Sequence, residues 1–282
     1  MTRIAPVLIA TLLALTGCSK ADLLNLIIPD TGYSVRKDIA YGSEPEQKLD
    51  IYLPDQPDAA RHVIVFFYGG SWQSGEKELY KFAGQAFASR GYIVLIPDYR
   101  KYPQVYFPAF VEDAAAAVVW THAHIGEFGG DSAKLTLVGH SAGAHISMML
   151  TLNEHFLKAA GGSARWIAST VGMAGPYDFL PFTDPKVKAL FSTAPDQDTQ
   201  PIHFVRPHTP PILLLTAEND KEVGAENTRN LYSELRKNGD RVEQRTYPGI
   251  GHIKLVLSLA YGFRSQATTL DDIDRFIRNH SN

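Results

Sequence analysis

Lys134-Leu135-Thr136-Leu137-Val138-Gly139-His140-Ser141-Ala142-Gly143-Ala144-His145 is the stretch that decides the fold. Lys134–Val138 alternates and reads as a strand, and the apolar run from Ala142 to Leu157 reads as a helix. Between them Gly139-His140-Ser141-Ala142-Gly143 matches G-x-S-x-G. The pentapeptide alone is a weak signal, but a strand before it and a helix after it are the setting such a turn requires. A serine on so sharp a turn takes a strained backbone conformation, and side chains two residues either side would collide with neighbouring elements. Ser141 then stands at a helix N-terminus, where the dipole favours developing negative charge. It is the candidate nucleophile; a plain helix-capping serine is the alternative.

Outward from this stretch the chain alternates. Val35–Ala40 and Lys48–Leu53 read as a hairpin, and Val63–Phe67 as a strand buried on both faces. Lys77–Ser89 reads as a helix, Tyr92–Ile96 as a strand, and Pro108–Glu127 as an alanine-rich helix. Beyond the elbow, strands at Ile167–Met173, Ile212–Leu215 and Val242–Tyr247 are interleaved with helices at Ala225–Lys237 and Leu270–Asn279. Strands alternating with helices imply an α/β fold with a mostly parallel twisted sheet and helices on both faces. A single domain over 34–282 fits the length. The proline-rich stretch Pro176–Pro211 breaks the rhythm and reads as an irregular insertion over the carboxyl edge of the sheet, a lid or substrate wall.

A serine hydroxyl needs a neighbouring imidazole to take its proton. In the strand–elbow–helix arrangement the acid and then the histidine follow the serine along the chain. His252, in Pro248-Gly249-Ile250-Gly251-His252 after the last strand, has that address. His203 and His208 lie in the insertion and are candidate pocket walls. His280 is terminal, and His122, His124 and His145 read as helix packing or surface residues. His140 can shape the pocket but precedes the serine. The acid is expected after Ile212–Leu215, where Ala217-Glu218-Asn219-Asp220-Lys221-Glu222-Val223 resembles a G-x-x-D-x-x-V loop with alanine at the glycine position. That selects Asp220, with Glu218 as the alternative; its role is to orient the imidazole and stabilise its cation.

Tyr68-Gly69-Gly70-Ser71-Trp72 follows the strand Val63–Phe67 and resembles the H-G-G-x-W oxyanion loop, with tyrosine in place of histidine. The amides of Gly70 and Ser71, joined by that of Ala142, are the expected oxyanion donors. A structural turn is the alternative. How the loop is braced without the histidine is left open.

Composition narrows the remaining classes. Of 282 residues 45% are hydrophobic and 20% charged, and the net charge of −3 gives no footprint for nucleic acid. One cysteine excludes an intrachain disulfide and zinc-type Cys/His spacing. Met1-Thr2-Arg3 precedes an apolar run, Ile4–Leu15, too short for the roughly 20 residues of a membrane span but suited to a signal peptide. The run ends in Leu15-Thr16-Gly17-Cys18, which resembles a bacterial lipobox. That resemblance implies cleavage of 1–18 before Cys18, lipidation of Cys18, a tether over 19–33, and anchorage in the bacterial cell envelope, periplasmic or outer-membrane.

With these motifs placed, the chain resembles the bifunctional feruloyl and acetyl-xylan esterase type of α/β-hydrolase, close to carboxylesterases and kynurenine formamidase. The likeness runs from about Tyr33 onward and includes Gln47–Tyr52, Tyr68–Trp72, Asp98-Tyr99-Arg100, Phe107-Pro108-Ala109-Phe110 and Gly139–His145. It implies a serine carboxylesterase that acts without cofactor or metal on a small or medium ester, through an acyl-enzyme. An arylformamidase with the same triad, and a non-catalytic binding protein on the same fold, are the other readings. Acyl and alcohol preference and oligomeric state are not legible at this level.

Overall fold

The computed structural model describes Asn25 and residues 27–280. The signal segment 1–18 with Cys18, and most of the expected tether, lie outside the described residues. Eight strands form one sheet: β1 Tyr33–Ala40, β2 Lys48–Pro54, β3 Val63–Phe67, β4 Ile93–Pro97, β5 Leu135–His140, β6 Ile167–Met173, β7 Ile212–Ala217 and β8 Val242–Tyr247. The helices are α1 Lys81–Ala88, α2 Ala109–His124, α3 Ala142–Leu152, α4 Glu154–Ala159, α5 Pro185–Leu190, α6 Glu226–Lys237, α7 His252–Leu257 and α8 Thr269–His280. Spatial order is β1-β2-β4-β3-β5-β6-β7-β8. Only β2 runs against its neighbours; from β4 through β8 every pairing is parallel.

The parallel strands β3, β4 and β7 are buried along their whole length because both faces are covered, whereas the edge strand β8 leaves Gln244, Arg245 and Thr246 exposed. In β7, Ile212 and Leu214 pack with Ala144 and Met148 of α3 and Leu231 and Leu235 of α6. The alternate residues Leu213 and Leu215 belong to the larger cluster, with Ile273, Phe276 and Ile277 of α8. That pair of clusters is the period-two signature of a strand between two layers. Leu270, Ile273, Phe276 and Ile277 form the buried stripe of α8, as the 3.6-residue period requires.

Three expectations are corrected. The helix expected over Ala142–Leu157 divides into α3 and α4, because Asn153 takes an extended backbone and its side chain accepts from the His155 amide. The helix expected from Lys77 opens with a 3-10 turn, Lys77–Tyr80. There the Lys77 amide is held by Asp98, while its ammonium, 2% exposed, pairs with Asp38, Asp50 and Glu78. The insertion is not wholly irregular: Asp184 caps α5 and Pro185 occupies its first turn, where a missing N–H costs nothing.

The elbow depends on absent side chains. A Cβ at Gly143 would lie 2.0 Å from the Phe67 carbonyl oxygen and 2.6 Å from that of Tyr68; one at Gly139 would lie 2.2 Å from the Gly143 carbonyl oxygen. All are backbone atoms of the sheet and its turn, so they cannot rotate aside. We expect Gly143→Ala to lower the unfolding free energy by about 1–3 kcal/mol, as overpacking does. Gly126→Ala, where an added Cβ meets nothing within 4 Å, should be near neutral. Urea denaturation of both variants checks this, and equal stabilities would contradict it.

Candidate active site

Ser141 sits between β5 and α3 with φ 55° and ψ −121°, a conformation a non-glycine residue rarely holds. Such a residue costs about 1–3 kcal/mol and persists only where its surroundings over-determine it. Here its amide donates to the Met173 carbonyl at the end of β6, and its carbonyl accepts from Ala144 and His145. The hydroxyl-bearing residue is thereby pinned on both sides.

His252 is the first residue of α7, and its side chain is 4% exposed. Its Nδ1 lies 2.7 Å from Asp220 Oδ2. Asp220 Oδ1 accepts from the amides of Glu222 and Val223, each at 2.9 Å. Burial opposes ionisation of this carboxyl, but the His252 bond and the two amides outweigh it, and Asp220 sits below the usual carboxylate range. An ionised carboxylate only accepts, so His252 carries its proton on Nδ1 and keeps the Nε2 lone pair. Glu218 is excluded as the partner: it is exposed and its carboxylate accepts from the Gly249 amide at 2.9 Å.

The loop after β3 is built with comparable strain. Gly70 has φ +133°, and a Cβ there would lie 2.2 Å from the Ser74 carbonyl oxygen. Ser71 and Trp72 follow with φ 53° and 58°. Among the described residues nothing accepts from the amides of Gly70, Ser71 or Ala142. Tyr68, where histidine was the usual residue, supplies the brace. Its hydroxyl donates to Asp98 Oδ1 at 2.6 Å and accepts from Lys101 Nζ at 3.2 Å. Its carbonyl accepts from the Tyr99 hydroxyl at 2.9 Å, and its ring stacks between Tyr99 and Tyr80, 4.8 and 5.2 Å between centroids. Asp98 also accepts from the Lys77 amide at 2.9 Å, so the loop is tied to the buried ion cluster beneath it.

A cavity of about 640 Å³ opens over Ser71, Trp72, Ser141 and Ala142. Its walls come from the insertion and from the stretch after β7. The expectation of a wall there holds, but His203 and His208 are not part of it: both are exposed and neither lines the cavity. Its lining includes the aromatic Trp72, Phe179 and Phe182 and the acidic Asp178, Asp184, Glu222 and Glu226. Among the described lining residues none is cationic. Glu222 Oε2 lies 3.7 Å from His252 Nε2, so the His252 imidazole borders the cavity that Ser141 lines. Sequence reasoning passed over Glu222, whose only signal is its place two residues after Asp220.

Two other histidines are structural neighbours of the site. His140 and His145 are buried, and burial drives both down, to about 3 and about 4; the charge of neighbouring His252 lowers His140 further. His145 Nε2 donates to the Thr199 carbonyl at 2.8 Å, fastening the insertion to α3. The helix-packing expectation for His145 is met in that form.

A family model described as BD-FAE matches residues 49–235. The chain is 29% identical over 245 residues to an isoprenylcysteine alpha-carbonyl methylesterase of Arabidopsis thaliana, covering 79% of this chain and 57% of that protein. It is 29% identical over 241 residues to esterase LipC of Mycobacterium tuberculosis, covering 78% and 60% respectively. The chain spans little more than half the length of these curated relatives. A truncated carbohydrate esterase from gut microbiota superposes with a TM-score of 0.78 at 20% identity, over 90% of this chain and 99% of that one. That likeness shows the α/β-hydrolase fold.

The buried neutral histidines set an acid limit on stability. Their folded values lie below the unfolded 6.5, so the unfolded chain binds these protons first. Stability from this source is complete above about pH 6.5 and declines as pH falls toward 4 and then 3, each group contributing up to about 1.4 kcal/mol per pH unit. Urea unfolding at pH 7 and pH 5 should show the loss; equal free energies at the two pH values would contradict it.

Proposed function

The chain belongs to the BD-FAE family, and on that premise we propose that it is a serine carboxylesterase working through an acyl-enzyme. Ser141 is the nucleophile, His252 the base and Asp220 the residue that orients it. The amides of Gly70, Ser71 and Ala142 hold the oxyanion. The observation that carries this reading is the buried 2.7 Å Asp220–His252 pair, which leaves the Nε2 lone pair available to accept a hydroxyl proton.

In this reaction Nε2 takes the hydroxyl proton as Oγ attacks the ester carbonyl. The developing oxyanion meets amide dipoles already in place, so little reorganisation is needed at the moment of charge formation. Collapse breaks the bond to the alcohol, which leaves with the proton from His252. Water then repeats the sequence on the acyl-enzyme and releases the acid. Asp220 stays ionised throughout and stabilises the imidazolium.

The cavity supports small or medium acyl esters, among them acetyl or feruloyl esters of plant polysaccharide, with the aromatic wall taking the apolar part. Export with a lipid on Cys18 belongs to the same proposal and rests on the lipobox-like sequence. It would place the enzyme where extracellular esters arrive.

Replacing Ser141 by alanine should lower turnover of p-nitrophenyl acetate by at least about 10⁴-fold, with the melting temperature preserved. Fluorophosphonate labelling should vanish in the same variant. Undiminished turnover would overturn the assignment. The carboxylates around the cavity generate a second expectation: a succinyl half-ester, anionic at its far end, should react more slowly than the butyryl ester of equal length. Glu222→Gln should narrow the gap roughly three- to tenfold at low salt, since a unit charge at about 4 Å in water is worth about 1 kcal/mol. A gap that ignores both the substitution and the salt would show that these carboxylates do not sort substrates.

A further inference from the structure

His140 is the last residue of β5, 2% exposed, and it follows the first glycine of the elbow. Its Nε2 lies 3.3 Å from the carbonyl oxygen of His252, 112 residues away in the chain. A carbonyl only accepts, so Nε2 carries the proton and Nδ1 is left with its lone pair. Among the described residues that buried Nδ1 has no hydrogen-bond partner. It faces Gly69 of the loop after β3: a Cβ built there would lie 3.0 Å from His140 Nδ1 and 3.0 Å from Ser141 Cβ. One imidazole thus touches the nucleophile elbow, the oxyanion loop and the start of α7.

We propose that His140 is a positioning residue for the base, holding the main chain of His252 in register with the elbow and the oxyanion loop through its Nε2–H. The proposal rests on the ester-hydrolysis reading above. The need for such an anchor follows from the local build of α7. That helix has six residues, and its N-cap Gly251 offers no side-chain cap. The Asp220 bond fixes the imidazole through Nδ1, but a ring held at one nitrogen can still be carried off line by movement of its backbone. The His140 donor acts on that backbone, and the two rings lie 4.8 Å apart with planes inclined by 44°.

The role also asks for a neutral group. When His252 takes the serine proton it becomes an imidazolium, and a second cation beside it would oppose that step. Burial and the neighbouring His252 charge keep His140 neutral down to about 3. The groups that face it are His252 and, beyond that ring, Asp220, whose charge acts in the opposite sense. A lysine or arginine could donate to the same carbonyl, but only as a cation. A neutral imidazole donates without that charge.

The test compares His140→Leu, which keeps bulk without a donor, with His140→Gln, whose side-chain amide donates from nearly the same reach as Nε2. On p-nitrophenyl acetate, His140→Leu should lose roughly 10- to 100-fold in kcat with KM changed less than about twofold, as misplacement of a reacting group by about 1 Å does. His140→Gln should recover to within about threefold of the parent. Equal losses in both variants that follow their melting temperatures would mean a packing role and overturn the proposal, as would full activity in His140→Leu. A second readout is independent of turnover and of whether the variants fold: long-range ¹H–¹⁵N NMR of the ¹⁵N-labelled parent protein. His140 should appear as the Nε2–H tautomer and remain untitrated from pH 8 to pH 5; an Nδ1–H tautomer or a titrating ring overturns the proposal. A parent protein with that tautomer but without ester turnover would instead count against the esterase reading.

Discussion

Backbone meets backbone where the elbow touches the end of β3, and the rest of the site depends on that contact. The missing Cβ of Gly143 would lie 2.0 Å from the Phe67 carbonyl oxygen. The approach brings the start of α3 against the point where β3 becomes the Tyr68–Trp72 loop. Strand pairing fixes the distance, since Phe67 and Gly139 are register partners across β3 and β5. Any side chain at 143 would force these two turns apart, moving Ser141 away from the Gly69–Trp72 loop.

Strain at the site is concentrated in short stretches and offset by what surrounds them. Ser71, Trp72 and Ser141 all hold positive φ. Beneath the first two lies a polar network through Tyr68, Asp98, Lys101 and the Lys77 amide, sealed by stacked tyrosines. Buried polar groups stabilise a unique arrangement when every member finds a partner. That is the physical reason tyrosine can stand where histidine is usual: a phenol both donates and accepts, so it joins the Asp98 carboxylate to the Lys101 ammonium.

The cavity joins two chemistries. Its aromatic lining residues pack with Phe191, and Trp72, Phe179, Phe182 and Phe191 are held to α3 through His145. Its acidic residues include Glu222, within 4 Å of the His252 imidazole. An ester is neutral, while the acid released from it is an anion. In the proposed reaction the cavity's carboxylates would therefore repel the released acid, favouring its departure over its rebinding.

Much of this was legible one strand at a time. The apolar run of β3 carried its own boundaries, because a strand buried on both faces has no polar positions to blur its period. The elbow was legible because sterics favour glycine two residues before and after Ser141, and the order of serine, acid and histidine is that of the strand–elbow–helix arrangement. The break at Asn153 was not, since an asparagine inside a helical pattern competes for the backbone through its side chain, and the outcome depends on packing. The loop pattern already favoured Asp220 over Glu218, whereas the brace on Tyr68 and the contact from His140 to His252 belonged to the tertiary structure alone. Each depends on which side chains meet across residues distant in the chain. Periodicity and turn chemistry act over a few residues, whereas sheet order decides which loops become neighbours.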